Sequence, residues 1–150
     1  MAFVSYTAGN FMMMLNPSGK EPVKFIEVAK SLLIETRKIC LSLSEKEILL
    51  GGASIQSLAH DILIEVVKAN STFPVYKEEV MARRLSFNKA IGLLTSLDME
   101  ADILFETSCI PEEMYESWKE LIRSELKLLV YVRNKDKERY KDLLRKTQES

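Results

Sequence analysis

The chain has 150 residues, 47% of them hydrophobic and 29% charged, with a formal net charge of -1 at pH 7. That length supports one domain with a single core. The near-neutral balance excludes the overall basic signature of a general polyanion binder, and no apolar run reaches the roughly eighteen residues of a membrane span. Only 5 glycines and 4 prolines are present, which favours helices over a turn-rich sheet protein. The 2 cysteines, Cys40 and Cys109, sit in no metal-binding spacing, so free thiols in a reduced cytoplasm are expected.

Residues 1–19 read as an extended N-terminal arm ending in the turn cluster Asn16-Pro17-Ser18-Gly19. The arm is apolar but lacks the basic start of a signal peptide. It is expected to pack on its own domain or to swap onto a neighbouring subunit, burying Phe3, Tyr6, Phe11 and Met12 to Met14. A first helix is predicted over residues 21–43, with Pro22 in its first turn and a stripe of Phe25, Ile26, Ala29, Leu32, Leu33, Ile39 and Leu43. Ser44 and Glu47 have the spacing of a capping box for a second helix reaching Ala69. Gly51-Gly52 interrupt it and predict either a bend or a helix start delayed to Ser54; a close backbone approach to another helix or to RNA is the weaker reading. Beyond them the apolar stripe is Ile55, Leu58, Ala59, Ile62, Val66 and Val67.

A third helix is predicted over residues 75–106, with Leu85, Ala90, Ile91, Leu94, Leu97, Ala101, Leu104 and Phe105 facing inward. At roughly 1.5 Å per residue it would be about 45 Å long, which fits one rod of a bundle. Its Arg83-Arg84 pair comes early and its acidic group of Asp98, Glu100, Asp102 and Glu106 comes late. That order opposes the helix dipole, so the arginines are expected to serve something other than local stability. A fourth helix is predicted over residues 111–133, with Met114, Trp118, Leu121, Ile122, Leu128, Leu129 and Val132 inward and a row of Lys119, Arg123 and Lys127 outward. Residues 135–150 read as a basic tail, helical or disordered, behind a bundle spanning residues 20–134.

Four amphipathic helices joined by short loops predict an all-α, antiparallel up-down-up-down four-helix bundle. No catalytic constellation, phosphate loop or di-iron pattern is present, and His60 stands without a partner histidine or cysteine. The chain is therefore expected to be no enzyme and to carry no cofactor or metal. Its functional reading lies with the basic residues of the C-terminal half, as a polyanion-binding edge or a solvated charged face.

The segments LAHDILIEVVKAN, FPVYKEE and ARRLSFNKAIGLLTSLDMEADIL resemble a known family, as do Trp118, the Glu125-Leu126 pair, Leu128-Leu129 and the closing Asp136 to Tyr140. The chain is similar to the accessory variability determinant proteins of diversity-generating retroelements, four-helix bundles related to the proteins encoded in ribosomal-RNA intervening sequences. The resemblance implies a cytoplasmic homopentamer that binds template RNA and the element's reverse transcriptase and supports mutagenic reverse transcription without being the polymerase. It implies no catalytic or metal residues. Combined with the charge pattern, it nominates Arg83, Arg84, Lys119, Arg123, Lys127, Arg133, Lys137 and Arg139 for nucleic-acid binding. The alternative is an oligomeric bundle scaffold that binds protein and no nucleic acid.

Overall fold

The computed structural model describes residues 23–107 and 109–145. The expected arm, its closing turn and Pro22 lie outside the described residues, as does the end of the basic tail. Every regular element among the described residues is a helix, without a strand. In chain order they form α1 (Lys24–Ser42), the single turn α2 (Glu45–Glu47), a π-helical turn (Ile48–Gly52), α3 (Ala53–Ser71), α4 (Lys77–Glu106), α5 (Glu112–Arg139) and the short α6 (Lys141–Arg145).

α1 forms as its apolar spacing dictates. Phe25, Ile26, Ala29, Leu32, Leu33 and Ile39 are buried in steps of three and four, and Lys30, Arg37 and Lys38 stay exposed. Thr36 joins this stripe. Its hydroxyl donates to the Leu32 carbonyl at 2.7 Å and accepts the Trp118 indole N–H at 3.0 Å, so both buried polar groups are satisfied.

The capping box closes as expected. The Ser44 amide donates to Glu47 Oε1 at 3.0 Å, and the Glu47 amide donates to Ser44 Oγ at 3.2 Å. These bonds to Ser44 hold the Glu47 carboxyl below the usual carboxylate range. The glycines after it neither bend the chain out of helix nor delay the helix start. Gly52 has φ -59 and ψ -42, and the chain continues from the π turn straight into α3. A Cβ on Gly52 would lie 3.3 Å from Ile48 Cβ, and Cys40 of α1 donates its thiol to the Gly52 carbonyl at 3.4 Å. The space a Gly52 side chain would take is thus filled by Ile48 of its own turn, the Cys40 thiol is the contact that reaches Gly52 from α1, and Gly51 faces open space.

α4 starts where Glu79 reaches back to the amides of Val75 and Tyr76, both at 3.0 Å. Its first turn carries Glu78 and Glu79, which suits the helix dipole at that end. Its buried stripe is Val80, Arg83, Phe87, Ala90, Leu94, Leu97, Ala101 and Leu104, a regular alternation of three and four. Leu85, expected inside, is 54% exposed because it lies two residues, about 200°, from Arg83 on the helix wheel. Arg83 takes the inward position instead.

α5 runs to Arg139, past the expected end at residue 133. The expected border between bundle and tail, at residues 134–135, therefore falls inside a continuous helix, and Asp136 beyond it is buried. α1 packs on α3 and α5, and α4 packs on the same two helices. Thr36 meets Trp118 and Ser42 meets Met114; Arg37 meets Gln56 and Cys40 meets Gly52. Asp102 meets Lys119, Asn88 meets Arg133 and Arg83 meets Asp136. In each of these pairings the residue number rises on one helix as it falls on the other. All four long helices share one core, with Trp118, Phe87, Leu32 and Ile62 among its largest fully buried side chains.

Candidate nucleic-acid interface

The α4–α5 seam divides the nominated cations into three groups. The first is used up in packing. Lys119, expected in an outward row, is 4% exposed. Its ammonium contacts Asp98 at 2.5 Å and Asp102 at 2.8 Å and lies 5.7 Å from the centre of the Tyr115 ring. Burial alone would lower the Lys119 pKa, but the bonds to Asp102 and Asp98 outweigh it and the net shift is upward. The bonds from Lys119 and Tyr115 in turn hold the Asp102 carboxyl low. A row at four-residue steps drifts around a helix by about 40° per step, and that drift carries Lys119 onto the seam while Arg123 and Lys127 remain exposed.

Arg83 is also withdrawn. It is 7% exposed, and its guanidinium lies 5.0 Å from the centre of the Phe87 ring. It donates from Nε to Asp136 at 2.6 Å, from Nη2 to the same carboxylate at 3.3 Å, and from Nη1 to the Ala69 carbonyl at 2.8 Å. Its fork therefore ties α3, α4 and α5 together, a geometry that a lysine could not reproduce.

The second group converges. A groove of about 220 Å³ is lined by Val80, Met81 and Arg84 of α4, by Arg133, Asp136 and Lys137 of α5 and by Leu144 of α6. Arg84, Arg133 and Lys137 come from the sequence-nominated set, and none of them is in an ion pair among the described residues. Arg133 donates only to a neutral acceptor, Asn88 Oδ1 at 3.0 Å, and its buried Nε has no hydrogen-bond partner. The one carboxylate in the lining, Asp136, is occupied by Arg83. The groove therefore presents three uncompensated positive charges around an apolar floor. A neighbouring depression along the helix end adds Lys141 and Arg145, with Glu138 beside them.

The third group, Arg123, Lys127 and Arg139, is exposed on α5 and stands outside the groove lining. Sequence reasoning did not nominate Val80, Met81, Asp136 or Leu144 for this site. The signal for Asp136 was its position seven residues after Leu129, on the buried face of α5. Among the described residues no group of three or more histidine, cysteine, aspartate or glutamate side chains could hold a metal ion, both cysteines are free, and no helix is long and apolar enough to cross a membrane. Comparison with known proteins finds no matching family model, no matching curated protein and no matching solved structure.

Proposed function

We propose that this protein is a non-enzymatic, RNA-binding accessory protein of a diversity-generating retroelement. In this reading it is a cytoplasmic up-down-up-down four-helix bundle, assembled as a homopentamer, that brings template RNA to the reverse transcriptase. The opposed numbering of the helix pairings supports the topology, and the sequence resemblance supplies the retroelement context. The observation that carries RNA binding is the convergence of Arg84, Arg133 and Lys137 on one groove with its only carboxylate already paired. A ring of subunits repeats such a groove several times, so a chain of net charge -1 can still offer a strong local positive potential.

The test is RNA affinity as a function of salt. For single-stranded RNA each neutralised phosphate contributes about 0.7 to the log–log slope, so the triple change Arg84→Ala, Arg133→Ala and Lys137→Ala lowers it by roughly 2. Changing Lys119 leaves the slope as it is, because its ammonium is buried against Asp98 and Asp102 and reaches no phosphate. RNA binding that is insensitive to salt, or untouched by the triple change, rejects this assignment.

A second reading, an oligomeric scaffold without nucleic acid, is favoured by one observation. Leu41, Leu49 and Leu50 are 86%, 86% and 88% exposed around the end of α1 and the π turn. Apolar groups that bare usually mark a contact surface. Light scattering separates the readings, since only the RNA-binding protein gains mass with structured RNA at moderate salt and releases it at high salt.

A further inference from the structure

We infer that the groove between α4, α5 and α6 takes one unpaired nucleotide of an RNA strand, with its phosphate on Arg84, Arg133 and Lys137 and its base on Val80, Met81 and Leu144. The inference deepens the RNA-binding reading above and rests on it. The groove is not simply a basic surface. Its cations stand beside three apolar side chains contributed by two helices, and α6 packs on α4 and α5 so that Leu144 forms part of the lining. A duplex offers phosphates to such a site, but its bases stay stacked and the apolar floor remains idle. A single strand can turn a base out onto an apolar or guanidinium face, which is how most sequence-tolerant RNA binding gains affinity beyond charge. Two of the three cations are arginines, whose planar heads can both fork onto phosphate and stack on a base.

Size restricts the occupant further. Pockets for drug-sized ligands run from roughly 300 to 1,000 Å³, and this groove holds about 220 Å³. That is room for a single flat base beside its anion. An acidic peptide carries its carboxylates and its apolar groups on separate side chains and would need space for two of them, whereas one nucleotide brings both on one unit.

The experiment titrates the full chain, by fluorescence anisotropy, with a labelled short oligoadenylate, an abasic strand of the same length and a blunt RNA duplex. The intact strand is expected to bind about tenfold more tightly than the abasic strand, the effect of roughly one stacked base. Met81→Ala and Leu144→Ala should bring the intact strand down to the abasic level with the salt slope unchanged, while Arg84→Ala should lower the slope for both strands. Met81 is 51% exposed, so its truncation leaves the core intact, and circular dichroism verifies this. Equal affinity for intact and abasic strands, or a preference for the duplex, overturns the nucleotide pocket and leaves RNA binding standing. Absence of salt-dependent binding to any of the three probes overturns both. Displacement of the intact strand by an acidic, leucine-containing peptide at lower concentration than unlabelled oligoadenylate overturns the pocket in favour of a protein ligand.

Discussion

Glu125 and Asp136 are buried on the same face of α5, eleven residues apart by number and about 16 Å along the helix, yet their surroundings treat them in opposite ways. Asp136 lies near the end of the helix, where the Arg83 guanidinium reaches it with two bonds and spends a third on the Ala69 carbonyl. Glu125 is fully buried among the core positions of Ile122 and Leu129, and neither of its oxygens has a hydrogen-bond partner. Burial pushes its pKa from 4.5 up to about 9, so it carries a proton at neutral pH. The contrast shows two ways for a helical core to accept a carboxyl group. Where a long forked donor can enter from a neighbouring helix, the charge is kept and paired. Where no donor reaches the buried oxygens, the charge is discharged by a proton.

The largest expected effect comes from breaking the paired site. Arg83→Ala leaves Asp136 buried without its counterion and should cost about 3–5 kcal/mol, read as a lower midpoint in urea unfolding. Replacing both partners with apolar residues, as in Arg83→Met with Asp136→Leu, should recover most of that loss. If the single change costs less than the double, the pair is not what secures this end of the molecule.

The unpaired site should respond to pH rather than to the loss of a partner. Because folding raises the Glu125 pKa, the folded chain holds a proton that the unfolded chain releases above pH 4.5. Its contribution is therefore favourable at low pH and is lost as pH climbs from 4.5 to about 9. By pH 7 the loss amounts to about 3 kcal/mol. Glu125→Gln removes the proton and should flatten the urea midpoint between pH 5 and pH 8, with the variant gaining on the parent as pH rises. A parent midpoint as flat as that of the variant would show that Glu125 is solvated or paired in solution.

Glu47 provides the smallest and most local comparison, a carboxylate stabilised by its neighbour at a helix start rather than by another helix. Ser44→Ala should cost about 1 kcal/mol in thermal unfolding and leave the pH dependence attributed to Glu125 unchanged. A loss as large as that of Arg83→Ala would mean that the Ser44 turn anchors more than its own helix end.

Much of the helical layout was legible in the amino-acid sequence because apolar spacing reports it directly. The stripe of α1 and the Ser44–Glu47 box were read residue by residue, and the starts of α4 and α5 to within a turn. The polar residues within the stripes were not legible. Arg83, Lys119, Glu125 and Asp136 occupy or border inward positions, and a scan that counts only apolar side chains assigns each of them to solvent or passes over it. Their partners lie on other helices, so no local pattern announces them. The candidate site divides the same way. Arg84, Arg133 and Lys137 were nominated from the charge pattern together with the family resemblance, but their meeting at one groove depends on the register of α4 against α5, and Leu144 joins them only because α6 packs against both.

The π turn has a consequence for chain length. A π turn holds one residue more than an α turn, and an insertion of one residue into a regular helix produces the same bulge. Gly51 sits in that turn with nothing near the place a side chain would occupy. Removing it should let the wide turn close into an ordinary one while Ile55, Ala59 and Ile62 keep the core positions they have now. The helix from Glu45 to Ser71 thus carries a spare residue at a defined place, a point where the gene can shorten by one codon without turning the helix on its axis.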